Sequence, residues 1–318
     1  MMGKLDEKII VNRLAKIKYL YKIGIEQSMQ EGTFAGFSLL SFHDCAEMFL
    51  LLVAEDHGDK IEESMTFMSF WNKYNDLTLI ESMRKLKDRR KNIKHKGYFP
   101  SKLDIEESRA TISQFLRENT NIQFKKDFDT ISLADLIDYP NIKDYVMKAE
   151  MFLNQNNLYE SLINAKIGFE ELLFTYESDK RQWRDSILSV GEKVGKDYRN
   201  LVTSNKEGLR WFEQVTHTTN DVRNILKVSA LGIDYKKYAL FDFITPKVLE
   251  TCGTGKDKYV YDSRENFEKT RTIKNQDCQF CIDFVIDSAL KLQEFQFNIN
   301  DYLKEAVLKK NGIRIINS

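Results

Sequence analysis

Arg90 and His95 are separated by four residues in the run Arg90-Lys-Asn-Ile-Lys-His95. Arginine is a permanent cation whose planar fork matches a phosphate, and histidine trades protons near neutral pH. Those are the two groups that cleavage of RNA without a metal requires. The pair sits in a wider basic stretch. Arg84, Lys85, Lys87, Arg89, Arg90, Lys91, Lys94 and Lys96 are accompanied there by one acid, Asp88. The chain as a whole carries 48 Lys and Arg against 48 Asp and Glu, so the cluster is local and the remainder is net acidic. Arg84, Lys87, Arg89, Lys91, Lys94 and Lys96 are the candidates for contacting a phosphate backbone.

The elements that must position these residues read as helices. At 318 residues the chain suits two domains. A hydrophobic share of 42% supports real cores, and 30% charged residues support a solvated surface. Only three prolines and fourteen glycines occur, which favours long helices over a turn-rich β protein. The expected fold class is all-α: two tandem helical bundles, with minor irregular or hairpin content in the second. The expected boundaries are 1–120 for the first, 121–139 for a connector and 140–318 for the second. The longest apolar run, Met48–Ala54, is shorter than a bilayer span, and the N-terminus lacks a signal-peptide core. A cytoplasmic protein with no membrane partner is expected.

Apolar spacings of three and four predict helices over 4–30, 34–56, 61–75, 77–96 and 105–118. Thr33 is the expected cap of the second. Gly97 and Pro100 should stop the helix that carries Arg90 and His95. Ser132 should cap a short turn at 133–137. Helices over 142–155, 158–176, 278–294 and 298–310 follow. Residues 234–245 read as aromatic and irregular, and Lys258–Tyr261 as part of a small hairpin.

A weak internal repeat is visible. Ser38–Leu50 can be laid on Ser161–Leu173, each with a glutamate, Glu47 or Glu170, in an otherwise apolar segment. Arg90-Lys-Asn-Ile-Lys-His95 has a counterpart in Arg223-Asn-Ile-Leu-Lys-Val228, where valine replaces histidine. Two related bundles follow, only the first with the Arg/His pair.

The long first helix, the segment Phe42-His-Asp-Cys-Ala-Glu47 and the later helix ending in Arg90-Lys-Asn-Ile-Lys-His95-Lys-Gly97 together resemble the HEPN family of helical nucleic-acid-processing domains. The likeness is best over residues 4–118 and looser over 140–295. Family members place a polar residue directly after the arginine; here Lys91 stands there and Asn92 follows. The resemblance implies a metal-independent endoribonuclease with no cofactor and no metal. In it a 2′-hydroxyl attacks the adjacent phosphorus and the 5′-oxygen leaves, so the substrate is RNA. It makes Arg90 and His95 catalytic and Asn92, Glu47 and His43 supporting residues. Glu47 could orient Arg90 by an ion pair, and His43 is an interior histidine or lies behind the site. A conditional role in stress response, toxin-like action or defence against phage belongs to the same implication.

On an ideal helix residues five apart lie roughly 140° apart around the axis. Arg90 and His95 therefore share no face unless the helix loosens near Gly97. Two copies meeting symmetrically make a better site, which leads to an expected homodimer through the first domain. The second domain, lacking the histidine, leaves room for a protein or small-molecule regulator. The alternative is a non-catalytic helical module that binds RNA, a nucleotide or a protein.

Other candidates read as structural. Cys278-Gln-Phe-Cys281 has metal-knuckle spacing, with Cys252 as a third thiol and no evident fourth ligand; buried thiols fit it better. Cys45 reads as a small core residue, His57 as a helix end and His217 as loop or cap. Cys252-Gly-Thr-Gly-Lys256 lacks the first glycine of a phosphate loop, Gly191–Lys196 has the wrong spacing, and aspartate follows the lysine in both.

Overall fold

The computed structural model describes residues 5–60, 65–182, 185–188, 206–250 and 259–303. Among the described residues the fold is all-α apart from two short antiparallel ribbons. It divides into two compact units, Met1–Leu136 and Ile137–Ser318.

The first unit is built around one apolar helix. Helix α1 (Glu7–Ser28) starts at Asp6, whose side chain accepts from the Lys8 N–H. A 3-10 turn, Gly32–Phe37, leads into α2 (Ser38–Asp56). Thr33 thus lies inside the turn and does not cap α2. Leu39, Phe42, Phe49, Leu50 and Leu52 of α2 are fully buried against α1, α4 (Ile80–Lys96) and α5 (Lys102–Phe124). Burying a side chain such as Phe42 contributes about 1.5–3 kcal/mol. Its ring is admitted by Gly24 on α1, where a Cβ would stand 2.6 Å from it. Residues 32–56 are long and apolar enough to cross a bilayer by length and composition, yet 61% of the apolar 18-residue window within them is buried inside the unit. They form its core.

The short α3 (Ser69–Lys73) is all the helix found in the described part of 61–75, where residues 61–64 lie outside the described set. Its Trp71 indole donates to the Thr78 carbonyl at 2.8 Å, and Asn119 of α5 accepts from the Thr78 N–H at 3.1 Å. These bonds hold Leu79 in the left-handed region at φ 62°, a conformation costing about 1–2 kcal/mol for a residue with a side chain. The chain is thereby turned onto the axis of α4. Helix α5 has a reciprocal cap between Ser101 and Asp104 and runs to Phe124, so residues 121–124 are helix and not connector. The chain after it folds back on α1, where Lys18 Nζ donates to the carbonyls of Asp129 and Ile131. Ser132 caps its turn through the Ala134 N–H, as its position predicts.

In the second unit, α6 (Pro140–Asn154) and α7 (Leu158–Ser178) form a helical hairpin whose turn holds Asn156 at φ 57°. Arg181–Gln182 (β1) pairs with Asp185–Ser186 (β2). Helix α8 (Lys206–Ala230) follows, and His217 lies within it rather than in a loop. Residues expected to be irregular form α9 (Tyr235–Ile244). The predicted hairpin is present as Val248–Glu250 (β3) against Tyr259–Tyr261 (β4), with Val248 opposite Tyr261. Helices α10 (Arg264–Thr270) and α11 (Asn275–Gln293) close the unit, and α11 packs on α6, α7 and α9. Phe169, Phe241 and Phe284 meet at its centre with centroids 4.6–5.2 Å apart. The expected helix over 298–310 is a 3-10 turn at Ile299–Tyr302, and residues beyond 303 lie outside the described set.

Candidate functional site

Helix α4 presents three different faces. Met83, Leu86 and Ile93 are buried, and Arg90 falls on the same stripe by spacing. A cation is therefore carried toward the core seam. Its side chain is 25% exposed, and its Nη2 lies 3.4 Å from Asp44 Oδ1 on α2. The buried Nε has no hydrogen-bond partner. Asp44, not Glu47, is the carboxylate that holds Arg90.

Asp44 Oδ1 also lies 3.6 Å from His43 Nδ1, and Glu47 Oε2 lies 3.8 Å from the same nitrogen. Both separations exceed a hydrogen bond, and Nδ1 is left without one. The His43 ring is buried and stacks on Phe67 at 4.3 Å. Burial, with the Arg90 charge second, pushes its pKa down to about 4, against the opposing pull of Asp44. His43 is therefore a neutral interior histidine at neutral pH. One ligand atom each from His43, Asp44 and Glu47 fall within 4.8 Å of one another, the one such group among the described residues. A cation there would compete with the Arg90 guanidinium for Asp44 and meet the charge of Lys87, which also lowers the His43 pKa.

His95 lies on the last turn of α4 and is exposed, as are Lys91, Lys94 and Lys96. The helix keeps its form to Lys96 and then stops at Gly97, φ 65°. The Gly97 N–H bonds the Ile93 carbonyl and the Tyr98 N–H bonds the Asn92 carbonyl, the expected left-handed cap. There is no loosening before His95, so Arg90 and His95 stay on different faces of one helix. Asn92 is half-buried. Arg84 is exposed and 3.3 Å from Glu81, and Lys87 is half-buried.

Arg89 occupies the third face. Its Nη2 lies 2.7 Å from Asp104 and 2.5 Å from Glu107, and its Nη1 donates to Ser108 Oγ at 3.1 Å. It fastens α4 to α5, and its charge is answered within the fold.

Exposed rings surround the end of α4. Tyr98 and Phe99 follow Gly97 directly, and Phe99 meets Phe37 edge-on at 5.3 Å. Phe34 continues the row at 6.5 Å from Phe37, and all four are exposed. Close approach is allowed by Gly36, where a Cβ would lie 2.9 Å from the Phe99 ring. Neither this row nor Asp44 was singled out from sequence, although Asp44 lies inside Phe42–Glu47 and Tyr98-Phe99 abuts the basic run.

The segments of the proposed repeat lie on α2 and α7. Each has more buried residues than any other helix of its unit among those described. In that alignment His43 matches Lys166, which is also buried and lies 3.0 Å from Glu170, the match of Glu47. Arg223 and Val228 lie on α8. Cys278 and Cys281 are buried in α11, and Cys45 in α2; burial raises all three thiol pKa values, Cys278 to about 11. Cys252 and both glycine-lysine segments lie outside the described residues. Comparison with protein-family models, with curated proteins and with solved structures gave no match.

Proposed function

We propose that the protein is a conditional, metal-independent endoribonuclease of the cytoplasm, working as a homodimer through its first unit. The observation that carries the reading is the division of labour on α4. Arg90 is held half-buried by Asp44, while His95 stands exposed less than two turns further on. In the proposed reaction the 2′-oxygen bonds to the adjacent phosphorus as the bond to the 5′-oxygen breaks. His95 takes the 2′-hydroxyl proton and returns one to the leaving oxygen. Arg90 answers the charge that gathers on the non-bridging oxygens. The products are a cyclic phosphate and a free 5′-hydroxyl.

Two further features favour RNA as the substrate. Lys91, Lys94 and Lys96 are exposed beside His95 and can follow a phosphate backbone. The row Phe34, Phe37, Phe99 with Tyr98 offers rings on which unpaired bases stack, worth about 1–3 kcal/mol per base. Single-stranded RNA fits both. Because Arg90 and His95 share no face, the productive pair takes His95 from one copy and Arg90 from the other.

The test is incubation of labelled single-stranded RNA with the protein in EDTA, beside His95→Ala. Cutting by the native protein alone, with cyclic-phosphate ends and unchanged RNA affinity in the variant, is the expected result. Salt-sensitive binding without cutting by either protein favours the second reading, a non-catalytic binding module. That reading draws on the same separation of Arg90 from His95 within one chain.

A further inference from the structure

The second unit contains a cavity of about 510 Å³, well within the range of small-molecule sites. Two helices face each other across it. Helix α7 contributes Glu170, Phe174 and Glu177, spaced four and three residues apart and so on one face. Helix α8 contributes Asn220, Arg223, Asn224 and Lys227, again one face. The two acids already meet cations: Glu177 lies 2.8 Å from Lys227, and Glu170 lies 3.0 Å from the buried Lys166. The lining adds two guanidiniums, Arg181 and Arg223, so that it is net positive. A guanidinium fork suits phosphate oxygens better than any other side chain.

The rest of the wall is aromatic and amide. Arg181 lies over the Phe174 ring at 5.0 Å, and Tyr238 and Tyr259 complete the lining. Tyr259 is fixed by a hydrogen bond from its hydroxyl to Glu171, and the Tyr238 ring packs 5.7 Å from Phe169. Flat rings and carboxamides beside guanidiniums recognise a flat heterocycle that carries a phosphate. We infer that this cavity binds a nucleoside phosphate, with the phosphate at Arg181 and Arg223 and the base among Phe174, Tyr238 and the asparagines. In the proposed repeat, Arg223 matches Arg90 and Val228 matches His95. The same framework would then hold a phosphate without the group that moves a proton.

The inference does not rest on RNA cleavage, and the test keeps the two apart. The full-length His95→Ala protein is titrated calorimetrically with each of the four nucleoside monophosphates, with inorganic phosphate and with adenosine. Saturable binding of at least one monophosphate is expected, ten times tighter than phosphate or adenosine. Arg223→Gln should weaken it at least tenfold and Phe174→Ala several-fold. Phe174 is a partly exposed ring, so its variant remains informative if Arg223→Gln does not fold. Lys94→Gln in the first unit should leave it unchanged. Flat titrations with all four monophosphates overturn the proposal, as does phosphate binding as tightly as any nucleotide, an adventitious ion only. Loss on Lys94→Gln with no effect of Arg223→Gln overturns it too, by moving the ligand to α4.

Discussion

The Asp44 carboxylate stands between Arg90 and His43, its Oδ1 3.4 Å from the guanidinium and 3.6 Å from the imidazole. Arg90 thus has one anionic anchor among the described ion pairs, and that anchor is half-exposed. Asp44→Asn should keep the fold within about 1 kcal/mol, since exposed ion pairs are worth little. On the proposed reaction it should lower kcat for RNA cleavage roughly tenfold with a smaller change in KM, because the guanidinium loses the carboxylate that holds it. Single-turnover kinetics beside thermal melting checks this. An unchanged kcat would mean that Asp44 does not position Arg90.

A site shared between copies predicts complementation. Arg90→Ala and His95→Ala should each be inactive alone. Mixing them at equal amounts after dissociation forms heterodimers, in half of all dimers at random. Each heterodimer has one site with both groups intact and one with neither, so roughly a quarter of native activity should return. No recovery, with exchange verified by mass spectrometry, would place both groups in one chain or exclude the pair from catalysis.

The helix bearing the pair was legible because its signals are local. Met83, Leu86 and Ile93 repeat at helical spacing, and Gly97 supplies the stop. The partner of Arg90 was not, because Asp44 is 46 residues away and the choice between it and Glu47 depends on how α2 is rotated about its axis. Arg89 looked like its basic neighbours for the same reason: only the packed position of α5 separates it from Lys91. Helix α9 leaves no helical stripe in the sequence because Tyr235, Tyr238, Leu240, Phe241 and Phe243 ring it. Residues 61–75 carry an apolar pattern, but their rings, Phe67, Phe70 and Trp71, are buried from a turn and a five-residue helix.

Two arginine or lysine classes on α4 should separate by stability and salt. Arg89→Ala removes contacts to Asp104, Glu107 and Ser108 and should cost about 1–3 kcal/mol by chemical denaturation. Lys91→Gln and Lys94→Gln, both at exposed positions, should leave stability within about 0.5 kcal/mol. Each should instead weaken RNA binding and reduce the slope of log affinity against log salt by about 0.7. A salt slope unaltered in both lysine variants would remove them from the RNA path.

His43 should make the first unit sensitive to mild acid. Four groups face it: Asp44 and Glu47 from α2, Arg90 and Lys87 from α4. Burial and the two cations outweigh Asp44, leaving its folded pKa at about 4 against 6.5 for the free side chain. Between those values the unfolded chain takes up a proton that the folded chain refuses. Stability from this group is therefore present above pH 6.5 and is lost as pH falls to 4, by on the order of 3 kcal/mol across the window. Asp59 and Asp104, whose pKa values are lowered from 3.8, act below that range. The measurement is urea unfolding at intervals from pH 7 to 4.5, beside His43→Gln. The variant should be less stable at pH 7, having lost the stack on Phe67, yet show a flatter dependence on pH. The His43 ring protons should show no titration by NMR between pH 7 and pH 5. A titration near 6.5 would mean that the ring is hydrated and that Arg90 does not bear on it.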